Sequence, residues 1–387
     1  MTPARPAANL SVAAEGRIPL FDLQRQRARF DADIKARMDA VLAHGQFVLG
    51  PEVELVEKRL ASFAGVDHAI AVSSGRDALM IALMAMEVGA GDAVFVPAFT
   101  FAATAGSVAA IGASPVFVDV DAQSFNMDPE DLERAIEEVL ENGALKPKVV
   151  MPVDLYGLPA DYPAINRIAE KYGLQVLADA AQSFGGAIGK TRVGAMAPIS
   201  ATSFYPTKPL GCYGDGGAIL TSDPKLAEGV RMIRSHGRGG TGDEAIVLGL
   251  TGRLDTLQAA VLLAKLELFT EELARRKEIA ARYTDALRTV VATPTIPEDY
   301  QSVFALYTVR VENRESVRAH LEERGIGTGL FYRLALHQHP AFKTFDGRSL
   351  SVSERHANEV LSLPMHPDLR DEEVDRVIVA VKEAVGA

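Results

Sequence analysis

The chain has 387 residues, 48% of them hydrophobic and 24% charged, enough for one large domain with an appendage or for two or three domains with sizeable cores. Its net charge of −11 argues against non-specific nucleic-acid binding, which rests on clustered Lys and Arg, yet backbone amides and a few local cations still suit a small anionic ligand. The single cysteine, Cys212, excludes an intrachain disulfide framework and a cysteine-based zinc site, and favours a reducing compartment.

Residues Met1 to Arg17 are rich in Ala and Pro and lack the apolar centre of a signal peptide, so they read as a flexible N-terminal tail. The window nearest to a membrane span, 98–118, is interrupted by prolines and polar residues. Leu23 to Ala43 reads as a helix, with Phe30, Ile34, Met38 and Val41 at helical spacing and Gly45 to end it. Gly50-Pro51 opens a second helix carrying Val53, Val56, Leu60 and Phe63. An alternation then sets in: strands over 69–72, 93–96, 115–118, 148–152 and 175–178, and helices over 77–86, 102–111, 129–141 and 162–172. Strands of near-continuous apolar character between helices predict an α/β fold, a mostly parallel sheet covered on both faces.

Beyond Gly217 the pattern changes. A strand is expected over 218–221, a helix over 226–235, a glycine loop over 236–242, and one long or kinked helix over 254–287. A smaller α/β unit follows, with a strand over 305–311, a helix over 314–324, an extended piece near 329–332 and helices around 353–361 and 371–385. The expected division is a tail over 1–17, a large domain over 18–255, and a linking helix with a small C-terminal domain over 256–387.

Ligands of parallel sheets bind outside the carboxyl ends of the strands, so the residues just after each strand carry the chemistry. One stretch stands out. Lys208 lies between the hydroxyls of Ser200, Thr202 and Ser203 and the glycines Gly211, Gly214, Gly216 and Gly217. An amine buried in such a turn loses its proton more readily, which suits a covalent lysine. Asp179 follows the apolar run Gln175 to Ala178, where a carboxylate is costly unless paired; a protonated ring nitrogen of a cofactor would pair it. Gln182 is placed to hydrogen-bond a neighbouring phenolic oxygen. Ser73-Ser74-Gly75-Arg76 joins a strand to a helix, where free N–H groups and the helix dipole favour a phosphate. Phe99 and Phe101 follow the second strand and can stack on a planar ring, although phenylalanines there are more often core.

Other motifs read as structural. In Gly186-Ala-Ile-Gly189-Lys190-Thr191, Phe184 stands where a phosphate loop needs its first glycine. Gly237-Arg-Gly239-Gly240-Thr-Gly242 follows a helix rather than a strand, which removes the dinucleotide context. Cys212 reads as a small packed residue. His337, His339, His356 and His366 lack ligand spacing, and no metal is expected.

Taken together, Asp179-Ala-Ala-Gln182-Ser-Phe-Gly185 and Ser203-Phe-Tyr-Pro-Thr-Lys208, 29 residues from Asp179 to Lys208, resemble the pyridoxal-phosphate-dependent nucleotide-sugar aminotransferases of the DegT/StrS type. Gln46-Phe-Val-Leu-Gly-Pro-Glu52, Pro97-Ala-Phe-Thr-Phe101-Ala-Ala-Thr104, Leu155-Tyr-Gly157, Arg253-Leu-Asp-Thr-Leu-Gln-Ala-Ala260 and Leu363-Pro-Met-His-Pro367 extend the similarity from about Ile18 to the C-terminus. Several stretches look closest to the subgroup that aminates C3 of UDP-2-acetamido-3-keto sugars, including the 3-keto-glucuronates.

The resemblance implies an aspartate-aminotransferase-like fold, a cytoplasmic homodimer with shared active sites, pyridoxal 5'-phosphate with its pyridoxamine form as cofactor, and L-glutamate as amino donor with 2-oxoglutarate as its product. The acceptor is a nucleotide-linked keto sugar, made into an amino sugar for surface glycans or lipopolysaccharide. By position, Lys208 is the Schiff-base lysine and proton carrier, Asp179 pairs with the ring nitrogen, and Gln182 contacts the ring hydroxyl side. Ser203, Ser74 and Gly75 bind phosphate, and Phe101 stacks on the ring. Two positions depart from the family pattern. Thr251 stands where an asparagine often reaches the partner's cofactor phosphate, and Arg76 where a threonine is usual; its charge can supply the missing contact. Tyr332 and Arg333, where relatives often show Tyr-Pro, and Arg253 are expected near the sugar. Sugar dehydratases of the family carry histidine in place of the lysine, so Lys208 speaks against that activity. A sugar-sensing relative without catalysis is the alternative of another class.

Overall fold

The computed structural model describes residues 16–239, 243–345 and 347–386; residues 1–15 of the expected tail and Gly240 to Gly242 of the glycine loop lie outside them. Two helices lead the chain. α1 (Leu23–His44) is capped by Asp22, whose side chain accepts from the Arg25 N–H, and ends at Gly45 with φ 71°. α2 (Pro51–Ala64) starts on its proline and ends at Gly65.

The alternation predicted from the apolar runs follows: β1 (His68–Val72), α3 (Gly75–Ala85), β2 (Asp92–Pro97), α4 (Ala103–Ala110), β3 (Ser114–Val118), α5 (Pro129–Asn142), β4 (Lys146–Val150), α6 (Tyr162–Tyr172) and β5 (Gln175–Asp179). A short hairpin, β6 (Ala187–Ile188) and β7 (Thr191–Arg192), precedes β8 (Ile199–Ser203), β9 (Gly217–Thr221) and α7 (Pro224–Arg234). The tempting Gly189-Lys190-Thr191 pattern is that hairpin's turn and cradles no phosphate helix. Asp128, Asp161 and Asp223 cap α5, α6 and α7, each with a proline in the first turn.

Seven strands form one sheet in the order β1-β9-β8-β5-β4-β2-β3. It is parallel except for β9, which runs antiparallel between β1 and β8. The apolar run of β9 carries no mark of direction; the Lys208 loop, residues 204–216, returns it beside β8 without a crossover helix. Side chains alternate across the sheet. Val94 and Val96 of β2 pack with Leu79 of α3 and Val230 of α7, whereas Ala93 and Phe95 pack with Leu132 of α5 and Ile165 of α6. Both faces are thus buried.

The expected helix over 254–287 is two helices, α8 (Thr256–Leu266) and α9 (Phe269–Leu287). α8 packs its Leu262 and Leu263 against Val53, Val56 and Leu60 of α2, while Ile279, Tyr283 and Leu287 of α9 belong to a different core. That second core is built on β11 (Tyr307–Arg310) and β12 (Val360–Leu363), an antiparallel pair, with α10 (Arg314–Glu323) and α12 (Asp371–Ala384). β10 (Tyr300–Gln301) pairs with β6. The helix expected over 353–361 is α11 (Ser351–Glu359) and stops where β12 begins. None of the helices of the described residues is long and apolar enough to cross a membrane.

Candidate active site

The carboxyl ends of β5 and β8 open into a cavity of about 510 Å³. Lys208, Asp179, Gln182, Ser203, Phe101 and Tyr332 line it, together with the turn Ser74-Gly75-Arg76. Residues far apart in sequence therefore meet at the strand ends, as the parallel pattern requires.

Asp179 closes β5 and is 4% exposed. Its Oδ2 accepts from the Thr104 hydroxyl at 2.8 Å, and its Oδ1 from the Ala181 N–H at 3.2 Å. Burial raises its pKa; the Thr104 and Ala181 bonds and the charge of Lys208 oppose that rise. Lys208 projects from the loop joining β8 and β9, whose feet are the paired Ser203 and Gly217. Burial lowers the pKa of its amine to about 8, against the opposing pull of Asp179.

The Gln182 carbonyl oxygen accepts from the Tyr156 N–H at 2.9 Å, which leaves its NH₂ to donate to the Tyr332 hydroxyl at 3.4 Å. Tyr332 sits against Phe101, ring centroids 6.0 Å apart. Phe101 is 58% exposed, an unusual state for a phenylalanine and one that leaves a ring face free in the cavity. Phe99, by contrast, is core.

The turn before α3 is the anion-suited end. Ser74 caps the helix by accepting from the Asp77 N–H, so the Gly75 and Arg76 N–H groups remain open. A Cβ at Gly75 would stand 2.6 Å from the Ser203 Cβ, and one at Gly217 would stand 2.6 Å from the Ser74 carbonyl oxygen. Glycine at both positions brings the helix start and Ser203 to one place.

Three expected residues stay outside this cavity. Thr251 is exposed, with its hydroxyl 3.3 Å from the His236 Nε2. Arg253 forms an isolated bridge to Val72, and Arg333 is exposed beside Tyr332. Thr104, described above, was given no role by the sequence, whereas Asp154 falls in the strand-end stretch 154–157 that the alternation points to, though without an assigned role. Asp154 is fully buried and accepts from the Ser183 and Tyr162 hydroxyls at 2.6 and 2.9 Å and from the Ala160 N–H at 2.8 Å. Burial pushes its pKa up to about 7. It follows the end of β4 by four residues, and its N–H bonds the Asp179 carbonyl at 3.1 Å. Cys212 is buried, its Sγ facing the Phe204 carbonyl at 3.1 Å, and burial raises its pKa to about 11. Among the described residues no group of three His, Cys, Asp or Glu could hold a metal.

The sequence model of the DegT/DnrJ/EryC1/StrS aminotransferase family matches residues 28–382. The chain is 47% identical to the UDP-2-acetamido-2-deoxy-3-oxo-D-glucuronate aminotransferase of Pseudomonas aeruginosa, over 91% of this chain and 96% of that protein. Its fold matches the crystal structure of a DegT DnrJ EryC1 StrS aminotransferase from Brucella abortus with a TM-score of 0.94 and 46% identity, covering 96% of this chain and 100% of that one. It also matches NtdA of Bacillus subtilis, solved with bound cofactor PMP, with a TM-score of 0.88 and 31% identity over 98% of this chain and 87% of that one.

Proposed function

Because the chain belongs to the DegT/DnrJ/EryC1/StrS aminotransferase family, we propose that it is a pyridoxal-phosphate-dependent transaminase of nucleotide-linked keto sugars. It moves the amino group of L-glutamate to a keto group, at C3 of a UDP-2-acetamido-2-deoxy-3-keto-hexose or -uronate. The observation that carries the reading is the convergence of one amine, one carboxylate and one open helix start on a single cavity.

The residues present fit the cofactor. Lys208 offers an amine that burial keeps partly neutral, as capture of an aldehyde requires. Asp179 is a buried carboxylate with two neutral donors, suited to a ring N–H⁺. The open Gly75 and Arg76 N–H groups, with the Ser74 and Ser203 hydroxyls and the Arg76 guanidinium, suit the phosphate. The second N–H of the Gln182 NH₂, beyond the one directed at Tyr332, suits the ring hydroxyl oxygen, and Phe101 offers a ring face. When bound, pyridoxal phosphate supplies the carbonyl that takes the donor's nitrogen and the ring that draws electrons from the donor's Cα. Lys208 Nζ would take the proton from that Cα and deliver it to the former carbonyl carbon of the cofactor, and in the second half would carry a proton from that carbon to the keto carbon of the sugar. Asp179 would hold the ring nitrogen protonated, and Tyr332 with Phe101 would flank the ring.

We further assign a homodimer with shared sites. Leu248 is 88% exposed and Ile246 66%, beside Thr251, which this chain's own cavity does not use; Phe47, Val48 and Leu49 add to the apolar surface. Thr251 and Arg253 then serve the partner's phosphate and sugar, with Tyr332 and Arg333 facing the sugar from this chain. The separate cores of α8 and α9 support two units, with α8 joining the large one expected over 18–255 and the small one built from α9 onward. The enzyme works in the cytoplasm, and its product feeds surface glycans or lipopolysaccharide.

The purified protein is expected to be yellow, and borohydride to fix the cofactor on the Lys208 peptide, read by mass. Glutamate with a panel of UDP-, dTDP- and GDP-linked 3-keto sugars is expected to give one amino sugar, read by product mass. A colourless protein that takes up no pyridoxal phosphate would refute the reading, and a coloured one that aminates no keto sugar would leave the sensor.

A further inference from the structure

We infer that Thr104 is a positioning residue for the cofactor ring: its hydroxyl holds the Asp179 carboxylate ionised and in place at the cavity floor. The inference rests on the reading of this cavity as a pyridoxal-phosphate site.

A threonine or serine in a helix commonly turns its hydroxyl back to the carbonyl four residues earlier. Ser107 of α4 does so, donating to the Ala103 carbonyl at 2.7 Å. Thr104, three residues before it on the same helix, instead donates to Asp179 at 2.8 Å, across 75 residues of sequence. The direction is fixed, because an ionised carboxylate only accepts. The Thr100 hydroxyl stands 3.5 Å from the Thr104 oxygen and is oriented by the same chain: Thr100 to Thr104 to Asp179. Thr100 and Thr104 are 2% and 1% exposed, so water cannot replace either bond.

Thr104 matters because Asp179 has few other supports. Its remaining donor is the Ala181 N–H at 3.2 Å, a longer bond. The charged and titratable groups around it are Lys208, whose charge acts on it, and Asp154, Tyr162 and Tyr332, on which its own charge acts. Of these only Lys208 favours the carboxylate. Burial disfavours an ionised Asp179. Without the Thr104 proton donor, Asp179 shares its charge less firmly with the ring nitrogen, and the ring is protonated to a lower pH.

The test compares holoenzymes of the native chain, Thr104→Val and Thr104→Ser. Retention of cofactor on dialysis and the pH dependence of its absorption band are followed, with thermal unfolding measured alongside. The Val side chain keeps the shape and removes the hydroxyl. Losing a hydrogen bond to a charged group weakens cofactor retention by about tenfold or more. Thr104→Val is expected to lose cofactor by that factor and to shift the band's titration to lower pH. Thr104→Ser is expected to keep both native values. A Val variant with native retention and an unshifted titration would overturn the inference. So would equal losses in the Val and Ser variants, which would mark a packing role. If the Val variant does not fold, Thr104→Ala against Thr104→Ser decides by the same readings. A native chain that takes up no pyridoxal phosphate would instead overturn the cofactor reading itself, before any variant is compared.

Discussion

The Lys208 amine should titrate far below an ordinary lysine, and Asp179 should set by how much. Burial lowers its pKa from 10.5 to about 8, and the Asp179 charge limits the drop. At pH 7, a group titrating near 8 is free amine in about one molecule in ten, and one titrating at 10.5 in about one in three thousand, a gap of roughly 300-fold. Competitive labelling of the cofactor-free protein with trace acetic anhydride, from pH 6 to 11, measures this directly. The Lys208 peptide is read by mass against the exposed Lys190 as internal reference. Its labelling is expected to rise through a midpoint near pH 8, and Asp179→Asn is expected to move that midpoint lower, because the attraction that favours the ammonium is gone. A midpoint above about pH 10, or an upward shift in Asp179→Asn, would refute the electrostatic argument for this site.

Two further outcomes follow from the same geometry. Arg76→Ala should weaken equilibrium binding of pyridoxal phosphate by about tenfold, the scale of one charge-assisted contact, with Arg76→Lys intermediate; unchanged affinity would remove the charge from the phosphate account. Glu373 tests pH-linked stability. Burial alone would raise its pKa, but bonds from Arg25 at 2.7 and 2.8 Å and from the Arg370 N–H at 3.0 Å lower it to about 2, from an ordinary 4.5. A depressed carboxylate stabilises the fold above its unfolded value and loses that contribution as pH falls toward its folded one. Allowing for the partial exposure of Arg25, the contribution at pH 7 is about 2 kcal/mol. Urea unfolding of Glu373→Gln should show that deficit at pH 7 and a shrinking one as pH falls from about 5 toward 3; a deficit independent of pH would refute the linkage.

The sequence made the α/β alternation legible because buried parallel strands are uniformly apolar, and it made the strand-end residues legible because charge and glycine interrupt such runs. What stayed hidden depends on tertiary contact. No residue of β9 marks its direction. The break between α8 and α9 falls at Glu267 and Leu268, with neither glycine nor proline to show it. β12 is a short apolar run that joins the preceding helical pattern without a turn residue. At the site, Lys208, Asp179, Gln182, Ser203, Phe101 and the Ser74 turn share one cavity, whereas the Thr104 bond to Asp179 spans two strands and could not be read from spacing.

The antiparallel β9 has a consequence for motion. Because it returns directly beside β8, the loop carrying Lys208 has both feet on one rung, the paired Ser203 and Gly217. Inside the loop, the Phe204 N–H bonds the Gly216 carbonyl and the Cys212 N–H bonds the Phe204 carbonyl, both at 2.8 Å. These amides share the sheet's cooperative unit and should exchange hydrogen for deuterium only when the whole domain opens. The reactive amine is then expected to reach its substrates by rotating its own four-carbon stem.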